Sequence, residues 1–226
     1  MANFFDFNNN FGPVEEESEL IPLMTSDDEE AILKESLPES VPILPLRNAV
    51  LFPGVVIPIS ATRDKSVKLI KNANSNNKLI GVVSQKDSNV SDPTINDVNK
   101  IGTVAKILRV LQMPDGNLTI IIQGKKRFSI DKLISETPFI TSSINELKEI
   151  SPKKDNKTFQ ATIDSIKDLA LKIIDENPNI PTEASFAIKN IHSNSFLVNF
   201  VSSNMNISVE EKFKILCIDD LQKRAL

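Results

Sequence analysis

The chain has one cysteine, one histidine, no tryptophan and no tyrosine in 226 residues, and each shortage excludes a class of chemistry. Cys217 alone cannot close an intrachain disulfide, and a zinc site built on several thiolates is ruled out. Without Trp or Tyr, a platform on which single-stranded nucleic acid stacks would have to come from phenylalanine alone. No run of about 18 apolar residues occurs, and the N-terminus has no basic start followed by an apolar stretch. A membrane span and a secretory signal are therefore not expected, and the chain reads as cytoplasmic. A GxxxxGK[ST] phosphate loop is missing too. Gln123-Gly124-Lys125-Lys126 lacks both its leading glycine and the Ser or Thr that would contact magnesium. A nucleophilic pair of Cys217 and His192 is conceivable. Yet Cys217 sits among Phe213, Leu216 and Ile218 and reads as a small buried apolar residue, while His192, before Ser193-Asn194, reads as a helix-end cap. No catalytic, cofactor-binding or metal-ligating residue is expected.

What is present is unevenly distributed. Residues 1–40 hold eleven Asp and Glu against Lys34, a net of −10, which leaves +6 on the remainder of a chain whose overall charge is −4. The first forty residues read as an acidic, solvated, disordered tail on a mildly basic body. Phe4, Phe5, Phe7 and Phe11 in an Asn-rich setting have no assignable partner.

From residue 41 to about 150 short β-type segments alternate with turn signals, and strands are expected at 43–46, 55–59, 79–83, 102–112, 118–123, 127–134 and 139–147. Pro42 and Pro45 donate no ladder hydrogen bonds, so the first strand belongs at a sheet edge or pairs through one side only. Asp115-Gly116 suits a hairpin reversal. One helix interrupts, capped by Asp64 and buried through Val67, Ile70 and Ala73. Antiparallel strands with one helix suggest a partly closed barrel.

Residues 151–157 are polar and contain a proline, and the period changes after them. Phe159, Ile163, Ile166, Ala170 and Ile173 follow a 4-3-4-3 spacing on one helical stripe. Pro178 and Pro181 bracket the next turn, with Pro181 suited to a first helical position. Ala184, Ala187, Ile188 and Ile191 mark a second helix, and Phe196, Leu197, Phe200 and Val201 a third. Ser208 with Glu211 is a capping box, and Asp219 caps a last helix that has no Gly, Asn or Pro stop and reads as interrupted before its end.

The order of motifs adds a resemblance. VPILPLRNAVLFPG at 41–54 is followed by Ile57, Pro58 and Ile59, then Arg63 with Ser66, Gln85-Lys86-Asp87, Asp92-Pro93 and Asp97. The run IGTVAKILRVLQMPDGNLTIIIQGKKRFSI follows at 101–130, then Ser208-Val209-Glu210-Glu211-Lys212 and the closing residues 221–226. Together they resemble the N-terminal domain of the bacterial ATP-dependent Lon protease family, over residues 41–226. The resemblance implies an α+β fold, with a β-rich PUA-like pseudo-barrel over 41–150 and an α-helical subdomain over 151–226. It also implies non-catalytic work: recognising unfolded or damaged protein substrates and supporting a homo-oligomer. The parent would be an ATP-dependent serine endopeptidase. Its ATP- and magnesium-dependent ATPase and its Ser-Lys peptidase would lie downstream, reached through a continuation of the last helix.

Two binding surfaces are candidates. Leu51, Phe52, Pro53, Gly54 and Val55 form an apolar segment broken by Pro-Gly, which favours a loop presenting Phe52 to unfolded chains, with Met113 at the hairpin as the other candidate. The competing expectation is that Leu51 and Phe52 pack into the barrel. Lys106, Arg109, Lys125, Lys126 and Arg127 suggest a basic patch on a barrel type that resembles RNA-binding modules of the pseudouridine-synthase-associated kind, with a solvated hairpin the better reading of those charges. Phe128 is the only aromatic beside them, so nucleic-acid binding ranks behind a stand-alone adaptor, itself behind the protease-domain reading.

Overall fold

Period-two patterning between residues 40 and 146 builds six strands: β1 Ser40–Leu46, β2 Val56–Ala61, β3 Leu79–Ser84, β4 Ile101–Gln112, β5 Leu118–Ser135 and β6 Thr141–Glu146. The computed structural model describes residues 32, 34–113, 117–153, 155–177, 180 and 183–226. The sheet order is β2-β5-β4-β3-β1-β6, and an additional β5–β6 pairing closes five of the strands into a barrel. Closure depends on the 18-residue length of β5. One of its edges pairs with β4 from Leu118 to Ser129, while the other hands over from β2, at Val56↔Gln123 to Ala61↔Leu118, to β6, at Phe128↔Glu146 to Ser135↔Thr141.

The separate strands expected at 118–123 and 127–134 are thus one. Gly124, which looked like a break, marks a close approach instead. A Cβ there would lie 2.3 Å from the carbonyl oxygen of Phe52.

β1 lies inside the sheet order rather than at an edge, but its two ladders divide it. Ser40, Val41 and Pro42 pair antiparallel with β6, and Ile43, Leu44, Pro45 and Leu46 pair parallel with β3. The ladders meet at Ile43, which pairs with Gly81 while its N–H donates to Ile140 O at 2.8 Å on the other side, and Pro42 and Pro45, without an N–H, sit in the ladders on either side of it. The parallel β1–β3 pair needs a crossover, supplied by β2 and helix α1, Asp64–Ser75. Arg63, not Asp64, is the N-cap of α1 and makes no side-chain cap bond. Asp64 is the first helical residue, where its carboxylate meets the positive end of the helix dipole.

Five helices follow: α2 Lys157–Glu176, α3 Glu183–Asn190, α4 Asn194–Asn204, α5 Val209–Leu216 and α6 Leu221–Ala225. On α2 the buried stripe is Phe159, Ile163, Ala170 and Ile174, with Ile166 and Ile173 packed at its margin. Asp220 caps α6 by accepting from the Lys223 N–H, so the expected cap at Asp219 is off by one residue. Asp219 instead pairs with Arg127 at 2.9 Å. Asp115-Gly116, Pro178 and Pro181 lie outside the described residues; the Met113 N–H donates to Asn117 O at 2.9 Å, just past the ends of β4 and β5. Ahead of residue 40, Ile32 is already buried and Leu37 packs against Val41, Val98 and their neighbours.

The capping box of α5 is present on both sides, with Ser208 Oγ accepting from the Glu211 N–H and Glu211 accepting from the Ser208 N–H. These hydrogen bonds, first from the Ser208 side chain and then from its backbone, hold the Glu211 carboxyl below its usual range. The contribution is complete above the unfolded carboxyl pKa, about 4.3, and is lost as pH falls through the lower folded value. Ser208→Ala is therefore expected to lower the thermal midpoint at neutral pH and to lose less on acidification than the parent chain does. Thermal unfolding followed by circular dichroism down to about pH 3 tests this; parallel acid limbs for the two proteins would contradict it.

Candidate functional site

The segment 51–55 is not an exposed capture loop. Leu51 is 2% exposed, Phe52 0% and Val55 5%, and Pro53 is half-buried. Four hydrogen bonds stitch the segment in place. Thr103 Oγ1 donates to Leu51 O at 2.6 Å, Gly54 N–H to Gly124 O at 2.9 Å, Gly124 N–H to Val55 O at 2.9 Å, and Asn199 Nδ2 to Pro53 O at 3.3 Å. Gly54 takes φ 80°, a left-handed conformation that favours glycine. Leu51 enters the barrel core with Leu44, Ile70 and Ile120. Phe52, with Val50 and Val55, belongs to the core that includes Phe159, Phe196, Leu197 and Leu221 of the helices. Exposure was expected because Pro-Gly signals a loop; the loop exists, but the helices cover it. A signal against exposure was present: residues 49–59 contain no polar side chain.

Met113 does lie at the surface, 44% exposed, with Leu111 at 43% and Leu108 at 42%. Their orientation follows from a register shift between Ile107 and Arg109, where Leu108 is the extra residue on β4. Ile107 pairs with buried Ile122 and faces inward; past the shift, Arg109 pairs with Ile121 and Leu111 with Thr119, both on the outer side. Without the extra residue Arg109 and Leu111 would share the inward phase of Ile107. On the neighbouring β2, Pro58 pairs with Ile121 and Val56 with Gln123, so the outer face of β2-β5-β4 joins Val56, Pro58, Ile121, Leu111 and Met113. Ser60, Thr119, Arg109 and Gln123 supply polar groups on the same face. The sheet order ends at β2.

The five basic residues do not form an open RNA platform. Arg127 is 3% exposed, and its Nη1 meets Asp219 and donates to Leu216 O, each at 2.9 Å. Lys126 pairs with Glu146 at 3.0 Å, Lys125 with Glu35 at 3.4 Å, and Phe128 is fully buried. Lys125, Lys126 and Arg127 line a cleft of about 860 Å³ between barrel and helices, with Ile32, Pro53 and Asn199. Beside it Arg224 Nη1 donates to Glu149 Oε2 at 2.9 Å and to Asn199 Oδ1 at 3.0 Å.

Cys217 is half-buried rather than buried, and burial pushes its thiol pKa up, against the opposing pull of Arg127. His192 is exposed, and Ser193, not His192, caps α4 by accepting from the Phe196 N–H. Among the described residues no three His, Cys, Asp or Glu side chains cluster to hold a metal, and no helix is long and apolar enough to cross a membrane.

Comparison with known proteins places this geometry in a family. The chain is 62% identical over 210 residues to a Lon protease of Flavobacterium johnsoniae, an alignment covering 93% of this chain and 26% of that protein. It is 46% identical over 207 residues to a Lon protease of Cytophaga hutchinsonii, covering 92% and 26% respectively. Its fold matches the N-terminal domain of a Mycobacterium avium complex Lon protease with a TM-score of 0.65 at 20% identity, covering 82% of this chain and 94% of that one. The chain thus spans about a quarter of the length of the curated relatives it matches, 26% in the first two. Residues 40–226 match the model of the ATP-dependent protease La (LON) substrate-binding domain, and the chain belongs to that family.

Proposed function

We propose that this chain recognises unfolded or damaged protein on behalf of an ATP-dependent serine endopeptidase of which it forms the N-terminal part. ATP hydrolysis and peptide cleavage fall to other parts of that parent, which works in the cytoplasm as a homo-oligomer. In this reading an acidic segment over 1–40 precedes a barrel unit over 41–150 and a helical unit over 151–226, with Ile32 and Leu37 already joined to the packed part. The observation that carries the proposal is the outer face of β2-β5-β4, where Leu111 and Met113 are exposed beside Pro58 and Ile121 within a polar surround. An exposed apolar patch rimmed by polar groups suits capture of chains that share hydrophobicity rather than sequence, and the flexible Met113 thioether adapts to varied partners.

Leu111→Ser combined with Met113→Ser tests it, because both side chains are exposed and their loss spares the core. The double variant is expected to weaken binding of a fluorescent, permanently unfolded polypeptide by about five- to tenfold, read by anisotropy, with the thermal midpoint unchanged. Unchanged affinity in a folded variant would remove this face from the recognition surface.

A further inference from the structure

We propose that the cleft between barrel and helices is a binding site for extended acidic peptide segments, separate from the apolar outer face of β2-β5-β4. Its walls carry five cations, Lys125, Lys126, Arg127, Lys148 and Lys153, against two carboxylates. Both carboxylates are already engaged, Glu146 by Lys126 at 3.0 Å and Glu149 by Arg224 at 2.9 Å. Lys148 and Lys153 are exposed and have no ion-pair partner among the described residues. Arg127 is 3% exposed, and although its Nη1 is paired with Asp219, its Nη2 has no hydrogen-bond partner. A buried cationic donor in that state is costly, and an incoming carboxylate oxygen relieves it. Helix α4 adds to the same field. Asn194 and Ser195 of its first turn line the cleft, and because the Ser193 cap takes the Phe196 N–H, their own N–H groups have no intrahelical partner.

The class of ligand follows from what the walls offer. The uncommitted donors stand on separate elements, Arg127 on β5, Lys148 and Lys153 between β6 and α2, and the first turn of α4. A ligand that engages all of them needs several carboxylates spread along a chain, and a cleft of about 860 Å³ has room for such a segment. Half-buried Pro53, Leu147 and Pro152 in the same walls give the apolar stems of that segment a surface to lie on. A nucleic acid would bring the same charge but finds no stacking face. The two aromatic rings of the walls, Phe159 and Phe196, are 5% and 4% exposed and packed into the helical core.

The probe is a fluorescein-labelled peptide of about twelve residues alternating Glu and Ala, titrated with the full chain and read by anisotropy. It is expected to bind at least about tenfold more tightly than its Gln and Ala counterpart, and to weaken markedly as NaCl rises from about 0.05 to 0.5 M. Lys148→Glu/Lys153→Glu is expected to lower the affinity about fivefold or more. Lys71→Glu/Lys172→Glu makes the same change of charge at exposed positions outside the cleft and is expected to stay within about twofold of the parent. Leu111→Ser/Met113→Ser is expected to bind the Glu peptide as the parent does, so that failure of this site and failure of the barrel face are told apart. Equal affinity for the two peptides, equal losses in the two charge reversals, or loss of binding in the barrel-face variant would each overturn the proposal. Tighter binding of a labelled oligothymidylate of the same length would overturn it too, in favour of a phosphate site. Circular dichroism confirms that the variants, all at exposed positions, are folded before affinities are compared.

Discussion

Phe52→Ala is expected to lower the free energy of unfolding by about 3–5 kcal/mol, the usual cost of emptying a fully buried aromatic site. The ring is 0% exposed and shares a core with Phe159, Ile163, Phe196, Leu197 and Leu221 of the helices. The cavity opens at the junction of the two layers, and Gly124 holds the Phe52 backbone too close for it to shift inward. Denaturant unfolding followed by far-ultraviolet circular dichroism gives the value, and barrel and helices are expected to lose stability together. A loss below about 1 kcal/mol would mean that the ring contributes little to joining them.

The second large effect concerns Arg224, whose side chain is 0% exposed. Its Nη1 reaches Glu149 and Asn199, and its Nε donates to Ile218 O at 3.0 Å. Burial pulls the guanidinium pKa down, and Glu149 is the strongest opposing influence. Arg224→Ala removes one partner of a charge pair and strands the Asn199 and Ile218 acceptors, so a loss of about 3–5 kcal/mol is expected. Replacing both charges, Arg224→Met with Glu149→Met, is expected to cost clearly less than the single change, because no unpaired charge remains. Equal or additive losses in that cycle would show that Arg224 acts through packing alone.

Local chemistry by itself determined much of this protein. The capping box at Ser208 and Glu211, the stripe of Phe159, Ile163 and Ala170, and the strand segments other than the division of β5 were legible, because caps and periodicity depend on residues within one or two turns of each other. The missing N–H groups of Pro42 and Pro45 were also written in the chain, yet the edge or one-sided strand expected from them pairs on both sides, with β6 through residues 40–42 and with β3 through residues 43–46. Family membership followed from the order of such local motifs.

What covers what was decided only by the tertiary structure. A Pro-Gly signal at residues 53 and 54 marks a loop but says nothing of the helices that arrive later, where Asn199, 146 residues on, reaches Pro53. The outward turn of Leu111 and Met113 depends on one extra residue at Leu108, and a register shift leaves no composition signature because it is a choice between neighbouring pairings of nearly equal local energy. Arg127 read as part of a basic patch in the sequence, and it and Arg224 are buried because Asp219, Leu216, Glu149 and Asn199 meet them from distant elements. Burial of a charge is a property of its partners, and those partners are brought together only when barrel and helices dock.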